Sequence, residues 1–179
     1  MKDKEVLPAK ERIVYLEIAQ YLKEKNENEN ALNYLEKAFN LSLENNDKIE
    51  ILNAQIKIYE KLKDYNNIAN AIKTIIDILL TDVPIKIEEI SNAYVKIADS
   101  MMSFKEYDKA IEAYKQSLEF NYTEKFNAKN NFYLANAYQT KGSYEEALKI
   151  YKTIISNSDD IFWIKNAESK IAIIETIKK

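Results

Sequence analysis

Residues 128–161 read AKNNFYLANAYQTKGSYEEALKIYKTIISNSDDI. Leu134, Ala135 and Tyr138 recur at helical spacing and form one apolar stripe. Gly142 interrupts the pattern. Tyr144, Ala147, Tyr151 and the neighbours Ile154 and Ile155 then form a second stripe. The spacing predicts two amphipathic helices joined by a tight turn, with alanine where the helices must approach closely.

The same large–small–large pattern appears three more times toward the N-terminus. In residues 91–124, Tyr94, Ile97, Ala98 and Met101 precede Tyr107, Ala110, Tyr114 and Leu118. In residues 49–82, Leu52, Ile56, Tyr59 and Leu62 precede Tyr65, Ile68, Ile72, Ile75 and Leu79. In residues 12–45, Tyr15, Ile18, Ala19 and Leu22 precede Ala31, Leu35, Ala38 and Phe39. The polar run NENEN, residues 26–30, is expected to supply the turn of this first unit, because Asn competes with the helical backbone. The equivalent positions Ala31, Ile68, Ala110 and Ala147 lie 37, 42 and 37 residues apart. The largest excess falls at the middle junction, where Pro84 can open a helix and Ile87, Ile90, Tyr94 and Ile97 continue one face. The third unit is therefore expected to start near Pro84 and to overhang its neighbours.

The chain resembles the tetratricopeptide repeat family, whose unit is a helix–turn–helix of about 34 residues. The resemblance implies an all-α, right-handed α-solenoid: a leader over residues 1–11, repeats at 12–45, 49–82, 91–124 and 128–161, and a C-terminal capping helix at 162–179. The leader is expected to be frayed. Asp159 and Asp160 can cap the last helix, expected from Ile161 to about Ile177. Its Trp163 and Ala167 match the start of a further first helix, with no second helix following.

Composition narrows the function. One Gly and two Pro in 179 residues exclude phosphate-cradling glycine loops and disfavour sheets rich in hairpins. The single arginine, Arg12, among 26 basic residues reads as codon bias. Net charge is −3, and the halves carry 13 basic with 17 acidic side chains (1–90) and 13 with 12 (91–179). With no basic block, nucleic acid is not an expected partner. No apolar run reaches the roughly 20 residues of a membrane span. The start MKDKEVLPAK has no signal-like apolar core, so a cytoplasmic location is expected if Met1 is the native start.

The chain has no His and no Cys, which removes the commonest general base, nucleophile and soft metal ligands. The acidic pairs Glu88–Glu89, Glu145–Glu146 and Asp159–Asp160 sit where first-turn charges complement helix dipoles. No catalytic residue, cofactor or metal site is expected.

Family resemblance implies instead a protein-binding module whose first helices line a concave groove. Carried over by position, the groove side chains are Leu16, Gln20 and Lys23, then Asn53, Lys57 and Glu60, then Val95, Asp99 and Met102, then Phe132, Asn136 and Gln139. These are expected to lie outside the packing stripes, with Val95, Met102 and Phe132 making an apolar section. The family's carboxylate clamp is not reproduced, since its positions hold Leu16, Gln20, Ala54, Asn92 and Lys96. The partner implied is another protein or peptide. The alternative is assembly through the apolar last helix, as a homodimer or onto further repeats, with Ile161, Ile164 and Ile173 as contact residues.

Overall fold

The computed structural model describes residues 3–82, 84–120 and 126–177, and these are helical with short connections. Nine helices occur among the described residues. They are α1 (Asp3–Glu24), α2 (Asn28–Leu41), α3 (Asn45–Leu62), α4 (Tyr65–Leu80), α5 (Ile87–Ser103), α6 (Tyr107–Glu119), α7 (Ala128–Lys141), α8 (Tyr144–Asn157) and α9 (Ile161–Ile177). Helices α1 to α8 form four sequential hairpins. They fall into two compact units, Met1–Asp82 with two hairpins and Val83–Lys179 with two hairpins and α9.

Each hairpin turns in the same way. Asn26, Lys63, Lys105 and Gly142 adopt left-handed backbone, with φ of 63°, 56°, 65° and 91°. Each stands five residues before Ala31, Ile68, Ala110 or Ala147. The following amide reaches back to the helix: Glu27 to the Leu22 carbonyl, Asp64 to Tyr59, Glu106 to Met101 and Ser143 to Tyr138, at 2.9–3.0 Å. The left-handed residue donates to Lys23, Glu60, Met102 or Gln139 respectively. This pair of bonds is the Schellman closure, which satisfies two orphan carbonyls at a helix end. Only one of the four positions is glycine, so three turns hold a strained side-chain-bearing residue in place. The first turn is also shorter than the NENEN run suggested, because Asn28 already begins α2.

Small residues sit at the crossings. Ala31, Ala110 and Ala147 are fully buried and Ile68 nearly so. In the first unit, Ala19, Leu35, Ala38, Ile51 and Ile58 form one cluster, backed by Tyr15, Leu16 and Phe39. Helix α4 buries Ile68, Ala71, Ile72, Ile75, Ile76 and Leu79, an apolar face wider than a single stripe. Its start is capped by the Asp64 carboxylate, which accepts from the Asn67 amide at 3.2 Å.

In the second unit, Trp163, Ala167, Ile171 and Ile174 of α9 join a cluster with Leu148, Tyr151 and Ile155 of α8. The Asp160 carboxylate accepts from the Phe162 amide at 2.8 Å and starts α9. A buried polar relay ties three helices. Asn130 of α7 donates to the hydroxyls of Ser91 and Ser117, both at 3.3 Å, while Ser91 donates to the Ser117 carbonyl at 2.7 Å. Ser117 in turn donates to the Tyr114 carbonyl at 2.7 Å. Buried polar groups that are paired in this way hold one register among alternatives.

One expectation changes in part. Helix α5 begins at Ile87, three residues past Pro84, and its 17 residues exceed the 14 of α7 but not the 18 of α3. Pro84 and Ile85 are exposed, so no burial supports extending the helix through them. At the N-terminus, α1 runs from Asp3 to Glu24 and carries Pro8 inside it.

Candidate functional site

Helices α1 and α3 present one face each to a common cleft. Arg12, Leu16, Ala19, Gln20 and Lys23 come from α1, and Asp47, Glu50, Ile51, Ala54 and Ile58 from α3, with Leu35 of α2 behind them. Both sets recur every three or four residues, as one side of a helix must. Ala19 and Ala54 are too small to fill the space between the helices, and a cleft of about 220 Å³ results. Its floor is apolar. Its rim is charged and mixed in sign: Arg12 pairs with Asp47 from one helix to the other, and Gln20 donates to Glu24 at 2.7 Å.

Of the side chains expected here, Leu16, Gln20 and Lys23 line the cleft, and Asn53 and Lys57 do not. Ile51 and Ile58 are drawn into the cluster of the first hairpin, which turns Ala54 and Glu50 toward α1. Asn53 and Lys57 stand roughly 100° further round, since neighbouring helical positions differ by that angle.

The second unit treats the equivalent positions differently. Val95 is 9% exposed and Phe132 7%, so both belong to the core and not to an open groove. Phe132 lies between Tyr151, with ring centroids 5.6 Å apart, and Trp163, at 5.3 Å. The expectation that Phe132 stands outside the packing stripes is corrected: Trp163, arriving on α9, covers it. Met102 is half-buried.

The polar positions of this unit are engaged by tyrosine. Tyr114 donates its hydroxyl to the Asp99 carboxylate at 2.5 Å. Tyr151, 37 residues later, lies 2.8 Å from the Asn136 amide oxygen and 2.9 Å from that of Gln139. A phenol has one proton and serves one of these oxygens; the other amide, turned over, would donate to it instead. Burial, then the bond to Asp99, pushes the Tyr114 phenol well above its ordinary value, and burial does the same for Tyr151. At the corresponding second-helix positions the first unit has Leu35 and Ile72. Gln20 and Lys57 therefore meet no such hydroxyl. Sequence reading placed both tyrosines in the core but missed their hydrogen bonds. The signal was present as a 15-residue offset, Asp99 to Tyr114 and Asn136 to Tyr151.

On α9, Ile161 is 67% exposed and Ile173 45%, while Ile164 is half-buried. The three do not share a face: Ile164 stands on the side opposite Ile173. Phe162 and Ile177, at 62% and 56%, are the exposed side chains that accompany Ile173. Among the described residues, no three acidic side chains converge as a metal site, and no helix is long and apolar enough to cross a membrane.

The profile of the tetratricopeptide repeat matches residues 14–45, 91–123 and 128–160. Among solved structures, the crystal structure of MamA protein superposes with a TM-score of 0.59 at 18% identity, covering 95% of this chain and 84% of that one. A Podosopora anserina putative kinesin light chain with nearly identical TPR-like repeats gives 0.58 at 13% identity, covering 94% and 87%. BtubC (BKLC) from P. vanneervenii gives 0.55 at 13%, covering 90% and 64%. At these identities the likeness is one of fold. No curated protein sequence matches the chain.

Proposed function

Because this chain belongs to the tetratricopeptide repeat family, we propose that it is a non-enzymatic protein-binding module that holds a peptide segment of its partner in the cleft between α1 and α3. The observation that carries this reading is the cleft itself: an apolar floor of Leu16, Ala19, Leu35, Ile51, Ala54 and Ile58 under a rim of both charges. Its volume of about 220 Å³ is smaller than the roughly 300–1,000 Å³ of small-molecule and cofactor sites. It suits one or two apolar side chains projecting from a peptide, whose backbone then lies along Gln20, Lys23 and Glu50. Apolar anchoring supplies affinity, and the Arg12–Asp47 pair at the rim sets orientation more than strength.

A displayed random-peptide library selected on the full chain tests this. Enriched peptides should share an apolar anchor, and Ala54→Phe, which fills the cleft, should weaken their binding at least tenfold with an unchanged far-ultraviolet dichroism spectrum. Failure to enrich any peptide, or binding indifferent to Ala54→Phe, would overturn the assignment.

A second reading, assembly through the last helix, is favoured by one observation, the exposed apolar side chains of α9.

A further inference from the structure

Two bonds set the register of the α1–α3 cleft. Arg12 pairs with Asp47, and Lys61 donates to the side-chain oxygen of Asn26, each across an offset of 35 residues. The two helices therefore run parallel, with Leu16 level with Ile51, Ala19 with Ala54 and Lys23 with Ile58. The same offset puts Glu50 level with position 15 of α1.

Between those two bonds the cleft holds two charges that lack an opposite charge. Arg12 is committed to Asp47, which leaves the exposed carboxylate of Glu50 unpaired. Lys23 is half-buried, and the acidic side chains that follow it, Glu24 and Glu27, accept from Gln20 and Asn30 instead. Neither Glu50 nor Lys23 has an ion-pair partner among the described residues.

Their spacing selects a backbone. Eight helical positions separate the two levels, about 12 Å along the axis. An extended chain rises about 3.3 Å per residue and turns alternate side chains to one face, so residues four apart span about 13 Å on the same side. The residue midway between them then falls level with Ala19 and Ala54, where small side chains leave the space. A helical segment does not match. Its residues eight apart also cover about 12 Å, but they are rotated by about 80°, which swings one charge off the cleft.

We propose that the cleft recognises an extended segment in which one apolar side chain is flanked, two residues to either side, by one basic and one acidic residue. The apolar side chain enters between Ala19 and Ala54, the basic one meets Glu50 and the acidic one meets Lys23. This rests on the peptide-binding reading above and adds what the peptide must carry. Two acidic flanks would set one carboxylate against Glu50, and two basic flanks would set one ammonium against Lys23. Each matched flank is an ion pair open to solvent, which strengthens binding by a factor of roughly 1.5 to 5. The charges therefore select among peptides that the apolar side chain anchors.

Displayed peptides offered to the full chain test this, with leucine at the centre, lysine or glutamate two residues to either side, and serine elsewhere. The mixed pair, in either order, should bind at least about threefold better than two lysines or two glutamates. Salt at about 1 M should level that difference without removing binding. Lys23→Glu should turn the preference toward two lysines, and Glu50→Lys toward two glutamates. These are gains of binding, which a variant that had merely lost stability would not show. Equal binding of every charge pattern, or variants whose preference does not move, overturns the charge assignment and leaves the peptide cleft standing. A stronger response to charges four residues from the leucine than to charges two residues away overturns the extended geometry. Leucine-centred peptides that bind no better than alanine-centred ones overturn the peptide cleft itself, and this inference with it.

Discussion

Replacing Phe132 with alanine should damage the second unit as a core truncation does. The ring is 7% exposed and packs on Tyr151 at 5.6 Å and Trp163 at 5.3 Å between centroids. Loss of a buried Phe in such a setting costs roughly 3–5 kcal/mol, including the void left behind. Two aromatic pairs go with it, each worth about 0.5–1.5 kcal/mol beyond buried area and partly counted in that figure. The surroundings favour the upper part of the range. Ala128, Ala135 and Ala147 sit on helix backbones and cannot move inward to refill the space. Trp163 is the sole tryptophan, so its emission reports this unit alone. Urea titration followed at Trp163 should show the midpoint falling by roughly 2 M, taking a denaturant slope of about 1–3 kcal/mol per molar. The native emission should also shift to longer wavelength as the indole loses its neighbour. Phe132→Leu should lose less than half as much. A change below about 1 kcal/mol would refute the reasoning and return Phe132 to the open groove position that its spacing alone suggested.

Two further outcomes follow from the same structure. The Tyr114 and Tyr151 phenols are raised by burial, Tyr114 further by its bond to Asp99, so the folded chain keeps protons that the unfolded chain releases near pH 10. Their stabilisation is complete below that value and is lost as pH rises from it toward the folded value, so the urea midpoint should fall between about pH 9 and 11.5. Tyr114→Phe should flatten the fall, and equal midpoints at both pH values would contradict the argument. Gly142→Ala should destabilise by about 1 kcal/mol, read from thermal melts, because its φ of 91° is left-handed although a Cβ there would meet nothing within 4 Å. Lys105→Gly, at φ 65°, should show the opposite sign; a neutral Gly142→Ala would remove the strain argument for the three turns that lack glycine.

The amino-acid sequence by itself determined the helices, their pairing into hairpins and the family. Each of these rests on local periodicity: apolar side chains three or four apart must share a face, and Ala31, Ile68, Ala110 and Ala147 mark the points of closest approach. The bounds of α9 were legible for the same reason, since Asp160 and the following run state a cap and a helix. The turn was legible at Gly142 and in the Asn26–Asn30 run, but not the left-handed residues Lys63 and Lys105, which can occupy either hand of the backbone until the flanking helices pack.

Tertiary structure alone decided which side of each stripe stays open. Val95 and Phe132 occupy the same register as Leu16, yet they are buried while Leu16 lines a cleft. For Phe132 the difference is Trp163, which arrives from a separate helix late in the chain, and no local period carries that information. In α3, the pull of Ile51 and Ile58 into a neighbouring cluster rotated Ala54 into the cleft and Asn53 out of it. The hydroxyls of Tyr114 and Tyr151 found Asp99, Asn136 and Gln139 only once the paired helices had set their distance. Periodicity specifies a direction around one axis; burial depends on what arrives from another helix, and that is a property of the packed chain.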